Sequence, residues 1–196
     1  MSGVPTIYLA RHGETEWSKS GRHTGRTDVP LTARGEADAG RLRDRFAPCE
    51  FARVFTSPLN RAARTCELAG LTGEPDPDLM EWDYGDYEGK TTAEVRAGRP
   101  GWELFRDGVP GGESIADMTA RADRVAARLK ALTGTVVVFS HGHFLRVLAA
   151  RWVGQPVGFA RSLLLSTASV SALGFDHGTL AEPAIALWND DRHLTR

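Results

Sequence analysis

The sequence predicts an α/β domain in which helices cover a central sheet, and three observations carry that reading. Apolar runs of strand length alternate along the chain with segments of helical period. One run, Val136-Val137-Val138-Phe139, is apolar at every position, as a strand buried on both faces requires. Three strand-to-loop junctions carry histidine or arginine just past the strand, and in open α/β sheets ligands collect outside the carboxyl ends of the strands.

The first predicted strand, Ile7 to Arg11, delivers Arg11, His12 and Gly13 into a loop. A glycine there permits a tight turn and close approach to a bound group, with backbone N–H groups facing an anion beside the Arg11 fork. A helix fits from Thr32 to Phe46, with Ala39, Leu42 and Phe46 on one side and Pro48 ending it. A second strand spans Arg53 to Ser57. Pro58 suits the first turn of the helix that follows, which puts Arg61 near an N-terminus where amides and dipole favour an anion. Alternatively, Arg61 and Arg64 are solvated charges on an exposed face. The Gly/Pro clusters at 73–78 and 108–112 read as loops.

The clearest helix begins after Ser114, a natural N-cap, and stops at Gly134. Its apolar residues Ile115, Met118, Ala122, Val125, Leu129 and Leu132 recur at spacings of three and four. The buried strand Thr135 to Ser140 follows and ends in His141-Gly142-His143, repeating the layout of the first junction, with another helix behind it. Weaker strands lie at Val170 to Phe175 and Ala184 to Trp188.

The 196 residues suffice for one hydrophobic core, so 1–196 is read as a single domain. Lys+Arg 24 against Asp+Glu 25 leaves no global charge bias, which points away from nucleic acid or membrane as the main partner. The N-terminus lacks a basic segment followed by a signal-length apolar core, and no stretch approaches membrane-span length, so a cytoplasmic location is expected. Cys49 and Cys66 have no metal-ligand spacing and read as packing residues. The anion-facing strand ends make a small phosphorylated metabolite the expected partner, and a homo-oligomer is left open.

Phosphoryl transfer without a metal needs a nucleophile, fixed positive charge and a proton donor for the leaving oxygen. His12, the group Arg11, Arg61 and His141, and one acid would meet all three needs. Glu81 is the leading acid, because it follows an apolar pair and precedes Trp82, so partial burial could hold it protonated. Asp83, Asp86 and Glu88 are its rivals, and the segment also reads as an acidic surface loop. A His-x-His metal pair at 141–143 is the other reading of the third junction, but no partner set of known spacing accompanies it. Arg146, Lys19, His23 and Arg26 could line a polar mouth, or stand in solvent.

Arg11-His12-Gly13-Glu14-Thr15, Thr56-Ser57-Pro58 through Arg61, Glu81 with Tyr84-Gly85, Gly111-Gly112-Glu113-Ser114 and Ser140-His141-Gly142 together resemble the histidine phosphatase superfamily, the phosphoglycerate mutase-like proteins, over residues 6 to about 153. The resemblance implies a three-layer α/β/α sandwich with a central, mostly parallel sheet. It implies His12 as phosphorylated nucleophile, Arg11, Arg61 and His141 as phosphate ligands, and Glu81 as proton donor, with no metal and no cofactor. Gly13, Thr15, Ser18, Thr24, Gly25, Gly142 and Arg146 are the expected substrate-binding positions. Residues 15–28 and 81–89 look like fungal sedoheptulose-1,7-bisphosphatases and small mycobacterial acid phosphatases. Cofactor-dependent mutases instead carry Asn at Ser18, Arg at Trp82 and a longer insertion before the second histidine. A phosphatase of sugar phosphates or bisphosphates, with protonated His141 balancing charge and an acidic optimum, is therefore expected ahead of a mutase or a non-catalytic phospholigand-binding protein.

Overall fold

A six-stranded sheet, ordered β3-β2-β4-β1-β5-β6, runs through the molecule. The computed structural model describes residues 3–194, so residues 1–2 and 195–196 of the expected domain span lie outside the described residues. The strands are β1 (Thr6–Arg11), β2 (Arg53–Thr56), β3 (Glu74–Pro75), β4 (Thr135–Ser140), β5 (Val170–Phe175) and β6 (Pro183–Asp190). β1, β2, β3 and β4 are parallel, while β5 and β6 add an antiparallel edge. The helices are α1 (Glu16–Ser20), α2 (Ala33–Phe46), α3 (Asn60–Leu68), α4 (Thr92–Gly98), α5 (Leu104–Asp107), α6 (Ile115–Lys130) and α7 (Gly142–Trp152).

β4 explains the layering. Val136 and Val138 face one apolar cluster with Leu129 of α6 and Phe144 and Leu148 of α7. Val137 and Phe139 face the other, with Leu42 and Phe46 of α2 and Cys66 of α3. A strand covered on both faces must be apolar throughout, and the result is a three-layer α/β/α sandwich.

Local chemistry sets the helix ends. Ser114 and Asp117 form a reciprocal capping box at α6, and Thr32 accepts from the Gly35 amide at α2. Met118, Ala122, Val125 and Leu129 are buried along one stripe of α6, and removing each larger one from water contributes roughly 1.5–3 kcal/mol.

Several expectations need correction. The helix α6 ends at Lys130, capped by Ala131, and Gly134 (φ 75°) turns the chain into β4 instead. Pro58 lies outside α3, whose N-cap is Leu59. The 73–78 loop contains the two-residue edge strand β3, tolerable for Pro75 because an edge leaves its missing N–H without cost. The short helices α1, α4 and α5 are too brief to show a period.

Candidate active site

Strand register gathers the three junctions. Arg11 pairs with Ser140 and Thr56 with Phe139, so His12, Ser57 and His141 emerge side by side. The His12 amide donates to Ser140 O (3.0 Å) and the Ser57 amide to Phe139 O (2.9 Å), extending the ladder to the site itself. The rings of His12 and His141 lie 5.2 Å apart.

His12 is buried, and its Nδ1–H donates to the Gly13 carbonyl at 2.7 Å. A carbonyl can only accept, which fixes the tautomer and leaves the Nε2 lone pair bare. Among the described residues Nε2 has no partner, and His12 lines a cavity of about 270 Å³. Burial first, then the Arg61 and Arg11 guanidiniums, hold His12 well below the ordinary histidine range. The ring is thus held neutral, with Nε2 unbonded.

His141 is engaged at both nitrogens. Arg61 Nε donates to Nδ1 (3.1 Å), and arginine offers no acceptor, so the ring proton sits on Nε2, which donates to Ser57 Oγ at 2.7 Å. A proton on Nδ1 would meet the Arg61 N–H head-on. Burial, Arg61, His12 and Arg11 push the His141 pKa down, and the expectation of a protonated His141 is overturned.

Arg61 is buried, unlike Arg64, which pairs with Glu36 and Glu67 on the surface. Beyond His141, its Nη1 donates to Thr27 O and its Nη2 to Thr24 O and Gly25 O. One Nη1 N–H remains. The loop it grips is held from behind by Glu88, which accepts from the Gly25 and Thr27 amides. Glu88 is thus a brace for the loop. Arg11 donates through Nη1 to Leu165 O (2.5 Å), while its Nε is buried without a partner. Gly142 admits that guanidinium, since a Cβ there would lie 3.2 Å from Arg11 Cζ.

Glu81 lines the cavity with His12. Its Oε1 accepts from the Trp82 and Phe144 amides (2.9 and 2.8 Å) and its Oε2 from the His143 amide (3.0 Å), docking it on the first turn of α7. Arg121 secures the segment: it is paired with Glu113 (2.7 Å) and donates to the carbonyls of Asp78 and Met80. Asp83, Asp86 and Glu88 stand outside the cavity lining.

Of the expected substrate-binding positions, Ser18, Thr24, Gly142 and Arg146 line the cavity and Gly13, Thr15 and Gly25 do not. Gly13 is small for α2: a Cβ would lie 2.4 Å from Gly35 O. Its amide donates to Thr65 Oγ1 rather than to an anion. Thr15 caps α1 in a box with Ser18, and Gly25 fits against Glu88 and Trp82 O. Lys19 and Arg26 are exposed outside the lining. Trp82 is core, its Nε1–H donating to Glu113 O, so exchanging an arginine for it removes no grip from this cavity.

Sequence reasoning passed over Arg22, Tyr84, Thr92, His143 and Leu165 as lining residues. It also passed over Arg121, although a signal existed: a charged residue on the buried stripe of α6, three after Met118. The His-x-His pair is not arranged as a chelate, because both His141 nitrogens are taken and His143 Nδ1 is bonded to Tyr84 Oη. Among the described residues the group spaced to hold a cation is Asp176, His177 and Glu182, all exposed on the turn between β5 and β6. No helix among them is long and apolar enough to cross a membrane.

Residues 7–191 match the family described as Histidine phosphatase superfamily (branch 1). The chain belongs to this superfamily. Among superfamily relatives, an acid phosphatase of Mycobacterium tuberculosis is 43% identical over 177 residues, covering 88% of this chain and 87% of that protein. A sedoheptulose 1,7-bisphosphatase of Saccharomyces cerevisiae is 36% identical over 188 residues, covering 79% and 69%. The solved structure of an open reading frame from M. tuberculosis superposes with a TM-score of 0.89 at 39% identity, covering 94% of this chain and 96% of that one. This histidine phosphatase superfamily member therefore has a phosphatase-like fold and function.

Proposed function

We propose that the protein is a metal-independent phosphomonoesterase acting on small phosphorylated metabolites through a phosphohistidine. The observation that carries the reading is the bare Nε2 of a neutral His12 sharing one cavity with the Glu81 carboxyl and the Arg11 guanidinium. Nε2 attacks phosphorus, the P–N bond forms as the P–O bond breaks, and the departing oxygen takes its proton from Glu81. Glu81, now a carboxylate, removes a proton from water, whose oxygen attacks phosphorus as the P–N bond breaks. Phosphate leaves, and both residues return to their starting state.

Charge on the equatorial oxygens meets the Arg11 guanidinium, which lines the cavity, while Arg61, with one spare Nη1–H, and His141, its Nε2–H on Ser57, stand behind that lining. Arg61 also positions His141. Sugar phosphates or bisphosphates are the favoured class, in keeping with the name of the yeast relative, a sedoheptulose 1,7-bisphosphatase. Phosphate release that survives a chelator, together with an acid-labile phosphoryl label on wild type and none on His12→Ala, tests the mechanism. Isomerised phosphoglycerate in place of free phosphate would overturn hydrolysis.

A further inference from the structure

The tautomer of His12 depends on one backbone group. Its Nδ1–H is taken by the carbonyl of the next residue, Gly13, so Nε2 stays bare only while that peptide keeps its orientation. A glycine backbone rotates more freely than any other, having no Cβ to restrict it. Groups outside the loop must therefore hold it.

Two contacts do so. On one side the α2 backbone crowds the glycine, with Gly35 O in the space a Cβ would fill. On the other, the Gly13 amide donates to Thr65 Oγ1 at 3.0 Å. Thr65 lies on α3, one turn beyond Arg61, and is fully buried. Its hydroxyl is 2.7 Å from the backbone carbonyl of Arg61, and a carbonyl only accepts, so the hydroxyl proton points there and a lone pair faces Gly13. A helical threonine makes that bond to the preceding turn routinely. The bond to Gly13, 52 positions away, has no such local origin, and valine would fill nearly the same space without a buried hydroxyl to satisfy.

Resting on His12 as the nucleophile of the proposed reaction, we infer that Thr65 is a positioning residue: through the Gly13 peptide its hydroxyl keeps the His12 proton on Nδ1 and Nε2 free. Thr65 stands outside the cavity lining and acts on the reaction only through this peptide. The same hydroxyl ties the nucleophile loop to the helix that carries Arg61. Without it the Gly13 N–H is buried with no acceptor, and the peptide turns to find one, taking its carbonyl away from Nδ1. The ring proton then divides between the two nitrogens, and a neutral ring protonated at Nε2 has no lone pair there to attack with.

The test sets Thr65→Val, nearly the same shape without the hydroxyl, beside Thr65→Ser, which keeps the hydroxyl and drops the methyl. Nitrogen NMR of the His12 imidazole should show the proton on Nδ1 in wild type and Thr65→Ser, and divided between the nitrogens in Thr65→Val. With 4-nitrophenyl phosphate, the single-turnover rate of phosphoenzyme formation should fall about 10–100-fold in Thr65→Val, the worth of one buried hydrogen bond, and return to within about threefold of wild type in Thr65→Ser. Inhibition by inorganic phosphate should change less than about twofold, because the Arg11 guanidinium is untouched. An unchanged tautomer or rate in Thr65→Val, equal slowing in both variants, or phosphate affinity that falls along with the rate overturns the inference. Should Thr65→Val fail to fold, hydrogen exchange at the Gly13 amide of wild type decides: protection matching the interior of α3 upholds the inference, and exchange as fast as an open loop overturns it. The NMR measurement needs no turnover, so a wild type that releases no phosphate overturns the phosphatase reading while the tautomer is still read.

Discussion

The two His-Gly junctions look alike in the sequence and differ in the fold. His12 and His141 each end a parallel strand, and the strands are neighbours in register. Yet His12 receives no donor, spending Nδ1–H on its own neighbour's carbonyl, whereas His141 is clamped between Arg61 and Ser57. The glycines diverge as well: Gly13 yields space to the α2 backbone, Gly142 to the Arg11 side chain. One local pattern thus serves two roles, decided by which distant group reaches the ring.

The largest effect should separate the histidines. His12→Ala should lower kcat by about 10⁴ or more and abolish phosphoenzyme, as loss of a nucleophile does. His141→Ala should cost about 10²–10³ and still form it slowly. Single-turnover labelling checks this, and equal behaviour of the two variants would break the comparison.

Arg61→Met comes next. It strands the carbonyls of Thr24, Gly25 and Thr27 as well as His141 Nδ1, a loss on the order of 3 kcal/mol, read from urea unfolding. The glycines follow. Gly13→Ala should destabilise by about 2 kcal/mol because the obstacle is backbone, while Gly142→Ala should leave the melting temperature nearly unchanged and raise KM a few-fold by displacing Arg11.

The smallest effect is pH-linked. His23 titrates lower folded than unfolded, so the unfolded chain binds more protons and stability falls as pH drops from the ordinary histidine value toward about 4. Between pH 7 and 5 its share is roughly 1–2 kcal/mol. The wild type should therefore lose that much more stability than His23→Phe across the same interval, measured by denaturant titration at each pH; parallel losses would contradict a neutral buried His23.

Much of this was legible beforehand. β1, β2 and β4 announce themselves by apolar runs and β5 and β6 more weakly, α2 and α6 by period and caps, and Arg11, His12, Arg61, Glu81 and His141 by residue type at strand or loop ends. Less legible were α1, α4 and α5, too short for a period, and β3, which consists of two edge residues including a proline. The parts played by Arg121 and Glu88 were obscure for another reason: Arg121 donates to backbone carbonyls and Glu88 accepts from backbone amides, and every residue type carries those groups.

What the chain determined by itself was which chemical groups exist and which stand at strand ends, because periodicity and turn residues act over a few positions. What only the tertiary structure decided was which nitrogen is free, which ring is clamped and which glycine is tight. Those outcomes depend on hydrogen bonds between residues such as Arg61 and His141, 80 positions apart, whose directions no local pattern encodes.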